Sequence, residues 1–256
     1  MSDPNSTPTR SDPPDWIAVA KLARFLAAAF CSPRTAARIV RGGSGVRNEL
    51  LAAAGNAGIT ADRIRRLFDG NASTDDAERA IDRVVGHTVR SECPPYELEY
   101  RSAEVFQASQ TLADVAGFYR AFGFEAAGPV AERPDHAATQ WEFIAVLCMK
   151  ASLATREADR TGCIQALRSF LTDHAAAWMP AFFARVQKVD EGGFLSHAAD
   201  LGDALLRRLS AHFDVPIGPA WLELRPTDEE DTTISCGAPG AVELGPNLAA
   251  AMEARA

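Results

Sequence analysis

The sequence predicts an all-α protein, a single-domain helical bundle of about eight to ten helices. Three observations carry that expectation. Apolar residues recur with a period near 3.6 along almost every segment from Asp15 to His212. Strand signals are nearly absent: no run alternates with β-branched enrichment, and no Asn-Gly or Asp-Gly hairpin turn occurs, the one Asp-Gly pair (Asp69-Gly70) closing a helical pattern. The chain is 256 residues long and 47% hydrophobic, enough for a sizeable core, yet holds no uninterrupted apolar stretch of the about 18 residues that a membrane span needs.

The elements follow in order. Trp16, Val19, Leu22, Phe25, Leu26 and Phe30 share one helical face, and Pro33 stops that helix. "RGGSG" (41–45) is a turn, and "VRNELLAAAG" is a short helix expected to end at Gly55. "TADRIRRLFDG" is another, with Thr60 as N-cap and Gly70 beyond its end. Residues 74–90 repeat the pattern. After the Pro94-Pro95 stop a long helix carries Leu98, Val105, Phe106, Leu112, Val115, Phe118 and Tyr119 and ends near Gly123. The next places Trp141, Ile144, Leu147, Cys148 and Ala151 on one side. Two more run from about Thr161 to Lys188 and from Gly193 to Phe213, the first kinked or divided at Pro180. The expected domain plan is a disordered segment 1–14, a helical domain 15–215, and an acidic, proline- and glycine-rich tail 216–256.

Composition excludes several functions. The net charge of −8 does not suit a nucleic-acid binder, which needs a basic stripe. Seven acids against two arginines in residues 221–256 give −5 of that charge, leaving −3 for the rest. The five cysteines are scattered without a C-x-x-C, as expected of reduced thiols rather than a disulfide or zinc framework. The polar, proline-rich N-terminus has the form of neither a signal nor a transit peptide, so the expected location is cytoplasmic. The arginine pairs 65–66 and 207–208 lie within helices and are not an export signal.

Chemical motifs are sparse. No Glu has a His three positions later and H-E-x-x-H is absent, so no metal is expected. No G-x-S-x-G elbow accompanies Cys93 or any serine, and "GGSGVRNEL" lacks the lysine and hydroxyl of a phosphate loop. No cofactor and no nucleotide site are expected. Two stretches stand out. In "ERPDHAATQWEF" Pro134 sets an extended entry, Asp135 is placed to cap the following helix, and His136 is then expected exposed in the first turn. In "CPPYELEY" Tyr96 and Tyr100 lie one helical turn apart with Glu97 and Glu99 between them, a pairing of aromatics and acids suited to an apolar, basic chain. A tyrosine pair packed on the core is the plainer alternative.

Together with "ADVAGFYRAFGFE" and with "FLTDHAAAWMPAFFARV" (Phe170, Leu171, His174, Trp178, Pro180, Phe182), these stretches resemble the TorD/DmsD/NarJ family of chaperones that mature molybdenum-containing oxidoreductases. The likeness spans about residues 90–213 and is nearest to the private chaperones of the type II dimethyl sulfoxide reductase group. It implies a non-catalytic, all-helical protein. Such a protein binds the twin-arginine signal peptide or N-terminal region of an apo catalytic subunit, assists cofactor insertion, and withholds the subunit from export. By motif, the implied peptide-binding residues are Tyr96, Glu97, Tyr100, Glu132, Pro134, Asp135, His136 and Trp141. The chain departs from the Glu-Pro-x-Asp-His form many members carry, its proline standing one place later, and from Leu-Glu-Phe-Met in reading Gln140-Trp141-Glu142-Phe143-Ile144. Carboxylates receive guanidiniums bidentately, aromatic walls receive the apolar part, and net negative charge steers such a ligand. The expected partner is therefore the catalytic subunit with its twin-arginine leader, bound by a monomer or dimer, with no nucleic acid and no membrane span. The alternative is a small helical enzyme or ligand sensor using Asp135, His136 and His174; a general adaptor with a helix-binding groove is a third.

Overall fold

The computed structural model describes residues 14–31, 43–69, 79, 83–85, 91–101, 105–124 and 133–225. Glu132, the segment 74–78 and the acidic stretch from 226 onward lie outside them. The all-α expectation is borne out: the described residues contain helices and one isolated bridge, and no strand.

Helix α1 (Trp16–Cys31) opens on Asp15, whose carboxylate accepts from the Ile17 and Ala18 amides. Its apolar face, from Val19 to Phe30, is buried as its periodicity requires. Helix α2 (Gly43–Ala57) does not end at Gly55. It runs on to Gly58, which takes φ 74°, while Ile59 N bonds Ala54 O and Gly58 N bonds Gly55 O. Those paired bonds satisfy the last carbonyls, and the left-handed turn they need is why the glycine at 58 is the stop. Helix α3 (Ala61–Asp69) is held by Arg63 and Arg66, both on Asp200.

Of the long helix expected after Pro94-Pro95, two stretches are described, and residues 102–104 between them lie outside the described residues. These are helix α4 (Leu98–Arg101) and helix α5 (Val105–Ala121), the latter ending at Gly123 as expected. Helix α6 (Ala137–Leu153) packs along α1 and is buried nearly all round, with Trp141 stacked on Phe183. Helix α7 (Glu157–Phe170), a π-turn (Leu171–Ala175) and α8 (Ala176–Val189) form one continuous rod. Its irregularity falls before Pro180 rather than at it. Helix α9 (Phe194–Phe213) is capped from outside by Asp190, which accepts from the Leu195 and Ser196 amides. It approaches α8 closely at Gly202, where a Cβ would lie 2.8 Å from the Phe183 ring.

The compact unit continues past residue 215 to Arg225. Pro180 has no N–H, so the Ala176 carbonyl loses its helical partner. The Gly218 amide takes that carbonyl at 2.8 Å. Residues 216–225 thereby lie on the helices, with Ile217, Leu222 and Leu224 packed against the core.

Candidate peptide-binding face

Three blocks far apart in sequence meet at the N-termini of α4 and α6. Tyr96 and His136 form an antiparallel bridge: Glu97 N donates to Asp135 O at 3.0 Å, and Ala137 N donates to Pro95 O at 2.7 Å. The Tyr96 and His136 rings meet edge to face at 5.1 Å. The proline pair keeps 94–95 from joining a helix, so Pro95 offers its carbonyl to the first amide of α6.

The capping roles differ from the sequence expectation. His136, and not Asp135, is the N-cap of α6; its Nδ1 accepts from Ala138 N at 3.0 Å, and it is 3% exposed rather than in solvent. To accept, Nδ1 must carry a lone pair, so the ring proton sits on Nε2. Asp135 turns the other way. Its Oδ2 accepts from Leu98 N at 3.2 Å, capping the start of α4 from across the fold. The physical reason is the bridge: with His136 N bonded to Arg133 O, the Asp135 side chain faces α4 instead of its own helix.

Arg133 clamps Asp135 through Nε at 2.9 Å and Nη2 at 2.8 Å, and its guanidinium lies 4.3 Å from the Tyr96 ring centroid. Burial pushes the Asp135 carboxyl above its ordinary pKa; Arg133 and the Leu98 amide oppose this but do not cancel it. Burial likewise raises Glu99, against the pull of Arg133 and Arg225. Tyr119, whose pKa burial raises well above its usual value, donates to Pro134 O at 2.7 Å and fixes the turn.

Glu97, wholly buried, centres a second network. Its Oε1 receives Arg101 at 2.5 Å and His174 Nδ1 at 3.1 Å, and its Oε2 receives Gln140 at 2.6 Å. Gln140 in turn accepts from Trp178 Nε1 at 3.1 Å, and Tyr100 packs on Trp178 at 5.3 Å. The π-turn 171–175 brings His174 inward to Glu97 and leaves the Asp173 carbonyl to Arg101. His174 Nε2 lies 3.3 Å from Asp114 Oδ2, but off the line of a hydrogen bond.

Of the residues expected from sequence, Tyr96, Glu97, Tyr100, Pro134, Asp135 and His136 are therefore gathered in one place. Trp141 is wholly buried on the Phe183 side of α6, away from these networks. The sequence reading missed Arg101, Arg133 and Gln140 as members. Two carried a usable signal: Arg101 follows Glu97 by four residues, and Gln140 follows His136 by four, each one helical turn on. Cys93, considered as a nucleophile, is buried, and burial pushes its thiol up to about 12. Among the described residues no three His, Cys, Asp or Glu side chains are grouped to hold a metal, and no helix is long and apolar enough to cross a membrane.

Residues 60–184 match the nitrate reductase delta subunit family. The chain is also 35% identical over 102 residues to the selenate reductase assembly chaperone protein of Thauera selenatis, 40% of this chain and 50% of that one. It is 32% identical over 106 residues to the chlorate reductase assembly chaperone protein of Ideonella dechloratans, 41% of this chain and 54% of that one. It is 28% identical over 121 residues to the chaperone protein TorD of Vibrio cholerae serotype O1, 46% of this chain and 54% of that one. These matches bear out the resemblance to the TorD/DmsD/NarJ chaperones that the three motif blocks carry. The chain spans about half the length of the curated relatives it matches.

Proposed function

We propose that the protein is a non-catalytic assembly chaperone. Its client is the catalytic subunit of a molybdenum-containing oxidoreductase of the type II dimethyl sulfoxide reductase group. It binds the twin-arginine leader or N-terminal region of the apo subunit in the cytoplasm, holds it while the molybdopterin cofactor is inserted, and keeps it from export until then. The observation that carries this is the convergence of the three family-like blocks on the Glu97 and Asp135 networks. The selenate and chlorate reductase chaperones among its relatives support the choice of client group.

The chemistry suits a basic leader. Asp135 and Glu97 are each covered by an arginine of the chain itself, Arg133 and Arg101, with side chains 33% and 36% exposed. A client guanidinium reaches either carboxylate by replacing its resident arginine, an exchange of like for like that strands no buried charge. Tyr96 offers the ring face on which Arg133 now lies. The enzymatic alternative is less well supported, because the Asp135 oxygens and His136 Nδ1 are committed to the fold and its caps.

The test is titration of the full chain with a labelled client leader. Binding is expected, and Glu97→Gln or Tyr96→Ala is expected to weaken it. No binding to any leader or subunit N-terminal peptide, with an active molybdoenzyme made normally in a deletion strain, would refute the reading.

A further inference from the structure

We infer that residues 216–225 are a self-ligand covering a trough between α4 and α8, and that an irregular apolar segment of the client docks there by displacing them. This rests on the function proposed above and names a further surface and its occupant.

The segment is held as a bound peptide is held. Gly218 N donates to the carbonyl that Pro180 freed, Ala176 O, at 2.8 Å. Arg185 donates to Leu222 O at 3.2 Å, and Arg225 N donates to Glu99 O at 2.9 Å. Side chains fill the remainder: Ile217, Leu222 and Leu224 rest half-buried on the core, and Arg225 acts electrostatically on Glu99. The trough thus reads backbone groups and apolar side chains and ends at the Glu99 carboxylate beside Arg133. A non-helical apolar chain that carries arginine has that chemistry, and the chain's own residues 216–225 are an example of it.

The fit is incomplete in a way that favours exchange. The Tyr100 hydroxyl and Arg185 Nε are buried without a hydrogen-bond partner among the described residues, and Arg185 is close enough to Tyr100 to act on it electrostatically. A buried donor left unmade is costly, so a ligand that reaches these atoms competes well against the resident segment. Trp221, packed over the Arg185 guanidinium at 4.6 Å, is 61% exposed. Pro216 and Pro219 contribute no amides to the attachment. Elements with few contacts and exposed hydrogen bonds open first.

The experiment uses the full chain and a fluorescein-labelled synthetic peptide of two consecutive arginines followed by a leucine- and alanine-rich stretch. Gly218→Ala puts a Cβ 2.3 Å from Ala177 O and should lift the segment at its root. A Leu222→Ser/Leu224→Ser pair loosens it without that clash and decides the matter if Gly218→Ala fails to fold by circular dichroism. Because the apparent Kd scales inversely with the fraction of molecules whose trough is open, loosening is expected to tighten peptide binding about tenfold. In the wild type, peptide should speed hydrogen exchange at the Gly218 and Arg225 amides. Equal or weaker binding by the folded variant, or slower exchange at those amides, overturns the inference and leaves the proposed function standing. Absence of peptide binding to wild type and variants alike also overturns the inference, and the proposed function then stands or falls on its own client-leader titration and deletion strain.

Discussion

Asp135 offers the sharpest test, because its burial and its contacts pull in opposite energetic directions. Its carboxylate is wholly buried, accepts two bonds from Arg133 and caps Leu98 N at 3.2 Å. Asp135→Ala removes all three. An orphaned buried amide costs about 1–3 kcal/mol. Stranding a buried charge costs about 3–5 kcal/mol, but Arg133 is a third exposed and keeps Glu99 and Tyr96, so only part of that applies. The expected loss is about 2–4 kcal/mol. Asp135→Asn is different. Its amide oxygen still caps Leu98, and it sheds a charge whose burial outweighs the pull of Arg133. It should lose less than half as much.

The pH dependence follows from the same shift. The folded pKa of Asp135 is raised, so its stabilising contribution is fully present below the unfolded value of 3.8 and is lost as pH rises through the folded value. The gap between wild type and Asp135→Asn should therefore narrow as pH rises above 3.8. Urea denaturation of the three proteins, compared by midpoint at constant slope, measures both effects. If Asp135→Asn costs as much as Asp135→Ala, or its gap widens with pH, the ion pair outweighs desolvation and the reasoning is wrong. Asp135 and His136 both hold the bridge together, so replacing either should lower stability as well as client binding.

Glu97→Ala leaves Gln140, His174 and Arg101 without their shared acceptor and should cost about 3–5 kcal/mol by urea denaturation. Gly202→Ala forces a methyl against the Phe183 ring and should cost about 1–3 kcal/mol in the same assay. Alkylation followed by peptide mapping should modify exposed Cys31 in the native protein. Cys93 and Cys148, whose thiols burial raises, should react only once the chain is unfolded.

Where an interaction is local, the chain can be read directly. The helical faces of α1 and α9 were legible because apolar spacing near 3.6 leaves one stripe to bury. The left-handed stop at Gly123 needs only one residue type, whereas with glycines at both 55 and 58 the choice fell to the turn that also buries Ile59. The blocks around Tyr96, Asp135 and His174 could be singled out by composition and likeness. Their partners could not. Asp135 caps a helix 37 residues away, Glu97 meets His174 across 77, and Gly218 answers the Ala176 carbonyl, 42 positions earlier, that Pro180 set free. Each pairing depends on how helices pack after they form. Sequence by itself determined which segments are helical and which residues carry the chemistry; only the tertiary structure decided which buried donor faces which acceptor, because desolvated polar groups must be satisfied by whatever neighbour the packing supplies.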